Sequence, residues 1–257
     1  MANKRIEEDG GKSAGAKRKL RGRRPSCFPL DGYREVAMFI GHYGPAIAIK
    51  AIRPAIPIWL LFIAVQLVDV AWAVLVLLGI EKVRIVPGIT ASNPLDLYYM
   101  PYTHSLVAAI IWSVAVAVIV MFLPRVATRF VALWIVVAGF SHWVLDLLVH
   151  RPDLPLYDDT MKIGLGLWNY PAVALALEVA LLFGGMIMYL RVTKPINAIG
   201  RVGLPILGVV MVAIQSYVFF GPPPASPAVA AATALVSYVA FAALAEWLAR
   251  QRRHAAA

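Results

Sequence analysis

The feature that most restricts this chain is a series of long apolar runs, at residues 57–79, 104–123, 128–149, 171–190, 202–220 and 227–248. A bilayer core takes roughly 20 helical residues to cross, and lipid offers no partners to an exposed backbone amide, so such runs are expected to fold as spanning helices. A soluble domain is excluded on composition: 61% of the 257 residues are hydrophobic and 15% charged, against about half and about a quarter in soluble domains. The expected fold class is all-α, a polytopic membrane helix bundle with six secure spans. A shorter apolar piece, 36–52, carries Lys50 with Gly41, Gly44 and Pro45. It is expected to form a short first helix that re-enters, lies in the interface or spans under strain. The single cysteine, Cys27, excludes an intrachain disulfide.

Residues 1–34 have a different character. They hold ten Lys or Arg against four acids, including the run KRKLRGRR, and no apolar run, which is the composition of a basic disordered tail. Such a tail is expected to be solvated and to touch anionic lipid headgroups; nothing in it points to a specific nucleic-acid target. Met38 stands where the membrane-like sequence begins and offers an alternative start, with 35–250 as the integral membrane domain and 251–257 as a short basic C-terminal tail.

Basic residues in short loops set the orientation. Lys50, Arg53, Arg125, Arg129, Arg191, Lys194, Arg201, Arg250, Arg252 and Arg253 fall on one side, and Lys82, Arg84, Arg151 and Lys162 on the other. The richer side, with the C-terminus, is expected to be cytoplasmic in a bacterial inner membrane, leaving the loops 81–103 and 150–170 outside. The basic tail obeys this rule only if it is absent or if the first segment does not cross.

Inside the apolar runs stand ionisable residues. Counted along their helices at about 1.5 Å per residue, Asp69, His104, His142 and Glu178 lie in the same half of the bilayer, and His42 joins them if IRPAIP turns a hairpin. A charge in a spanning helix costs about 2.5–3.5 kcal/mol on insertion scales, so a cluster of this kind points to a shared cation, a relay or a cavity. The stretch FSHWVLDLLVH sets His142, Asp146 and His150 at steps of four. Neighbours in that series differ by about 40° and about 6 Å, so Asp146 shares a face with each histidine, whereas the two histidines are about 12 Å apart and too far for one ion. Asp146 is thus expected between two metals, or His150 at the mouth of the site supporting a ligand or touching substrate. The candidate metal set is His42, Asp69, His104, His142, Asp146, His150 and Glu178, and imidazole with carboxylate favours one or two divalent ions, zinc before manganese or iron. Asp69, the carboxylate most isolated in sequence, is the candidate general base.

Four motifs carry a resemblance. GHYGP, QLVD, PYTHSL and SHWVLD resemble, in order, the His, Pro-Asp-x-Asp, Thr-His-Ser and Ser-His-x-x-x-Asp of the YdjM-like family of LexA-binding, inner-membrane-associated metal-dependent hydrolases, over residues 38–150. HRPDLPLY and GLGLWN look like a subgroup signature. The resemblance implies a membrane-embedded metal hydrolase acting through His42, Asp69, His104, His142 and Asp146. QLVDVAW departs from the pattern, with Ala71 where many relatives carry a second aspartate, which weakens a full binuclear site. A more distant similarity, through His-x-x-x-Asp spacing, is to zinc-dependent phospholipase C. The expected function is a metal-activated water attacking an ester or phosphoester of a lipid-like substrate drawn from the membrane. The alternatives are a cation or proton transporter using the same residues, or a scaffold whose polar layer only joins helices. No Gly-rich phosphate loop, serine nucleophile elbow or CxxC pair appears.

Overall fold

The computed structural model describes residues 40–124 and 126–255. The tail 1–34, Met38 and Arg125 lie outside the described residues. The chain is mostly helical. A 3-10 turn, Ile40–His42, leads into α1 (Tyr43–Ile52), α2 (Ile58–Val65) and α3 (Leu67–Leu77). An antiparallel hairpin of β1 (Lys82–Ile85) and β2 (Leu95–Tyr99) precedes α4 (Leu106–Val120) and α5 (Arg129–Val149). A second 3-10 turn, Leu167–Asn169, opens into α6 (Pro171–Val192), β3 (Thr193–Pro195), α7 (Ala198–Phe220), α8 (Pro227–Ala249) and β4 (Arg252–His254). β3 pairs antiparallel with β4, tying the end of α6 to the end of α8. Among the described residues these two strand pairs are the exception to an all-helical fold.

Helices begin where the sequence supplies caps. Ser105, Thr128, Asn197 and Ser226 each accept a backbone N–H three residues on, at 3.1, 3.1, 2.8 and 3.2 Å, and α6 and α8 open on Pro171 and Pro227, whose missing donor is not needed at a first position. Four helices, α5 to α8, are long and apolar enough to cross a membrane, and α2 with α3 make a fifth if that pair, bent by 57°, counts as one span. Two expectations are corrected here. The run 57–79 is two helices meeting at Gln66, and the run 104–123 gives only the 15 residues of α4, because Ser105 caps its start and Pro124 disfavours helix just before itself. The described part of the first segment, a 3-10 turn and ten helical residues, is too short to cross by itself. The exposed faces are apolar: Ile110, Ile111, Val114, Val118 and Ile119 on α4, and Val202, Ile206, Val209 and Val210 on α7. Such surface suits lipid contact.

Small residues set the closest helix contacts, as in membrane bundles generally. A side chain on Gly44 of α1 would run into the Leu181 backbone of α6, and one on Gly185 into the Gly44 carbonyl. Backbone contact along α6 therefore fixes the position of α1 and of His42 just before it. At the basic end, Arg53 lies over the rings of Phe130 and Trp134, at 4.6 and 5.1 Å. At the other end the segments 81–103 and 150–170 cover the bundle, joined by bonds such as Ser92 N–H to Trp168 O at 3.1 Å and Leu106 N–H to Pro155 O at 3.0 Å.

Candidate metal centre

Interruptions in the helices bring ionisable side chains to one buried place. His42 closes the first 3-10 turn. Asp69 falls in the first turn of α3, so the break at Gln66 gives its carboxylate the positive end of a helix. His104 comes just before the cap of α4, held by the Trp143 indole N–H on its carbonyl at 3.0 Å. His142 and Asp146 lie on successive turns of α5, and His150 follows its last residue. All are buried except Asp69, whose side chain keeps 17% of its exposure.

Two groups of three offer ligand atoms within 4.8 Å of one another: His42, His142 and Asp146, and Asp69, His104 and His142. His142 Nε2 is 3.0 Å from Asp146 Oδ2 and 3.6 Å from Asp69 Oδ1; His104 Nε2 is 3.2 Å from Asp69 Oδ1; His42 Nε2 is 3.4 Å from Asp146 Oδ1. Donors sharing an ion at bonds of about 2.0–2.2 Å stand roughly 3.0–3.6 Å apart, so these atoms are close enough to hold one. The His42 and His142 rings stack at 4.0 Å.

Proton placement sharpens the fit. His142 Nδ1 lies 2.7 Å from the Val65 carbonyl and His150 Nδ1 lies 2.9 Å from Asp153 Oδ1. Both partners only accept, so each Nδ1 carries its hydrogen, and for His142 a neutral ring then turns the Nε2 lone pair inward. His142 Nε2 and Asp146 Oδ2 are closed to solvent and neither has a hydrogen bond of acceptable geometry, though they are neighbours. Two such atoms 3.0 Å apart could share a cation.

His150 belongs to neither group; its Nε2 is 3.9 Å from Asp146, and its ring lies 4.3 Å from that of Trp168. Burial works against its charged form, but the Asp153 hydrogen bond and charge lift its pKa above the usual imidazole value. Glu178 is also outside both groups. Its carboxylate accepts the Ile40 N–H at 3.2 Å and a Gln215 amide N–H at 3.3 Å, so it holds the turn that carries His42. Beside the histidines lies a small pocket whose apolar walls include Trp72, Leu95, Leu97, Trp168 and Phe219; among the described residues no Lys or Arg lines it.

Several residues of the site carry no sequence signal of their own. Tyr238 of α8 donates its hydroxyl to Asp69 Oδ2 at 2.8 Å, yet a tyrosine in a span reads as an ordinary packing aromatic. Glu81 sits in a loop where polar residues are unexceptional; Thr103 and Asp153 fall inside PYTHSL and HRPDLPLY, but nothing in those motifs marks either as the partner of a histidine ring. Burial pushes the Glu81 carboxyl above its usual range, while the His104 charge and the Thr103 and Tyr102 donors act in the opposite sense. Compared with known proteins, the chain matches no family model, no curated protein and no solved structure.

Proposed function

We propose that the chain is a membrane-embedded, metal-dependent hydrolase that binds one or two divalent ions, zinc first, and cleaves an ester or phosphoester of a lipid-like substrate. One observation carries this function: histidine nitrogens and aspartate oxygens on separate segments converge at 3.0–3.6 Å in a buried layer, with His42, His104 and His142 all facing that layer through Nε2. His42, His142 and Asp146 hold one ion, and Asp69, His104 and His142 the alternative or second position. A divalent cation bound there supplies Lewis-acid polarisation of the scissile group and lowers the pKa of a water toward about 7. Asp69, the more exposed of the two ligand-group carboxylates, takes the proton of the attacking water. His150, oriented by Asp153, delivers a proton to the leaving oxygen. The apolar walls accept the lipid portion. Among the described residues the lining has no basic side chain, so they meet the substrate's negative charge at the centre alone, which favours an ester or phosphodiester over a group bearing several charges.

The same proposal includes six spans, counting the bent pair and α4, in a bacterial inner membrane with the basic end and the C-terminus cytoplasmic, and kinship with the YdjM-like family through the four motifs. Elemental analysis of the purified protein, followed by assays on phospholipids and polyprenyl phosphates, tests the function. Bound zinc with product release that stops on chelation is the expected result. Metal movement into vesicles without hydrolysis would establish a carrier instead, and absence of both metal and turnover a scaffold.

A further inference from the structure

We propose that Glu81 is a positioning residue for the metal centre, acting through Thr103 to fix which nitrogen of His104 carries the proton. The role presupposes the cation-binding function proposed above.

Glu81 lies just beyond α3, is 1% exposed, and makes no ion pair among the described residues. Its Oε1 accepts the backbone N–H groups of Tyr102 and Thr103 at 2.8 and 3.0 Å, and its Oε2 takes the Thr103 hydroxyl at 2.6 Å. The same hydroxyl oxygen is 2.8 Å from His104 Nδ1. A hydroxyl has one hydrogen. Committed to the carboxylate, Thr103 can only accept from the ring, so Nδ1 carries the hydrogen. The other nitrogen, Nε2, then presents its lone pair 3.2 Å from Asp69 Oδ1. The order Glu81, Thr103, His104 does for this histidine what the Val65 carbonyl does for His142: an acceptor behind the ring turns the ligating nitrogen forward. Glu81 also staples the backbone of 102–103, and a purely structural role would end there.

One substitution separates the two roles. In Glu81→Gln the amide oxygen still accepts both backbone N–H groups, but the amide nitrogen replaces Oε2 and donates to Thr103. The Thr103 hydrogen is then released toward His104 Nδ1, the ring proton moves to Nε2, and the lone pair faces away from the site. Zinc affinity of the full-length protein in detergent, measured by competition with a chromophoric chelator, is expected to fall about 10- to 100-fold, the usual cost of losing a partner behind a ligand, while thermal unfolding of the chelator-treated protein stays unchanged. Thr103→Val, of equal shape, should lose affinity in the same way, and Thr103→Ser should keep it within about twofold of the parent. Wild-type zinc affinity in Glu81→Gln, or a loss of affinity matched by an equal loss of stability in the metal-free protein, would overturn the positioning role. Should Glu81→Gln not fold, the Thr103 pair decides: equal affinities in the Val and Ser variants overturn it. A parent protein that binds no zinc instead defeats the underlying function, an outcome distinguishable because it appears before any substitution is made.

Discussion

The C-terminal helices and the segment before them are built by opposite rules. α6, α7 and α8 run 22, 23 and 23 residues without a break, while residues 40–120 are cut into helices of 10, 8, 11 and 15. Three of the five residues in the two ligand groups, His42, Asp69 and His104, come from that interrupted region; His142 and Asp146 come from α5, unbroken over 21 residues, and the C-terminal helices add hydrogen-bond partners, Glu178, Gln215 and Tyr238. An unbroken helix consumes its own N–H and C=O groups, so it offers little at mid-depth to orient a polar side chain. An interrupted one exposes helix N-termini and free carbonyls there. Asp69 gains the start of α3, and the Val65 carbonyl beside the break holds the His142 ring.

If this division of labour is right, damage should be graded across it. Asp146→Asn keeps the size of the side chain but removes the charge that faces two histidines; bound metal and hydrolysis should both be lost, with helical content by circular dichroism preserved because an amide is less costly in a bilayer than a carboxylate. Full metal occupancy in that variant would reduce the layer to packing. His150→Gln should spare the metal and lower turnover by about 10²- to 10⁴-fold, the range for a lost proton carrier; a parallel loss of metal by elemental analysis would make His150 a ligand. Crossing into the C-terminal helices, Glu178→Leu leaves the buried Ile40 N–H unpaired at about 1–3 kcal/mol and should weaken zinc binding by loosening His42, whereas Glu178→Gln, which still accepts that N–H, should restore most of it. Smallest should be Tyr238→Phe, where Asp69 loses one donor worth about 1 kcal/mol and turnover falls a few-fold with metal retained. A larger effect from Tyr238→Phe than from His150→Gln would mean that the C-terminal helices do chemistry.

The same division decides what could be read from sequence. α6 and α8 end within two residues of the runs 171–190 and 227–248, because lipid-length apolar stretches between prolines and caps leave little choice; α7 starts at Ala198 rather than 202 because Asn197 caps it ahead of Arg201. The break at Gln66 escapes the same reading, since one amide barely changes the apolarity of 57–79. The ligands are legible because a charge amid leucines and valines needs a reason to be there. Depth along a helix is legible too, but rotation about its axis is not, which is why Glu178 shares the ligands' level and faces Ile40 and Gln215 instead. Thr103 and Asp153 stand within three residues of the rings they support, but the Val65 carbonyl behind His142 and Glu81 behind Thr103 are visible only once segments 77 and 22 positions apart are brought together.

His142 stands in both ligand groups, and its Nε2 has one lone pair to give. An ion seated with His42 and Asp146 therefore withdraws a donor from an ion seated with Asp69 and His104, and the reverse holds with the same factor, since coupling between two binding events is reciprocal. The two positions compete through a single atom. Zinc added to the protein should accordingly fill one tight equivalent and then, with a separate and weaker midpoint, a second; replacing His142 should abolish that spread by weakening the first event more than the second, converting an antagonistic pair into two independent weak ones.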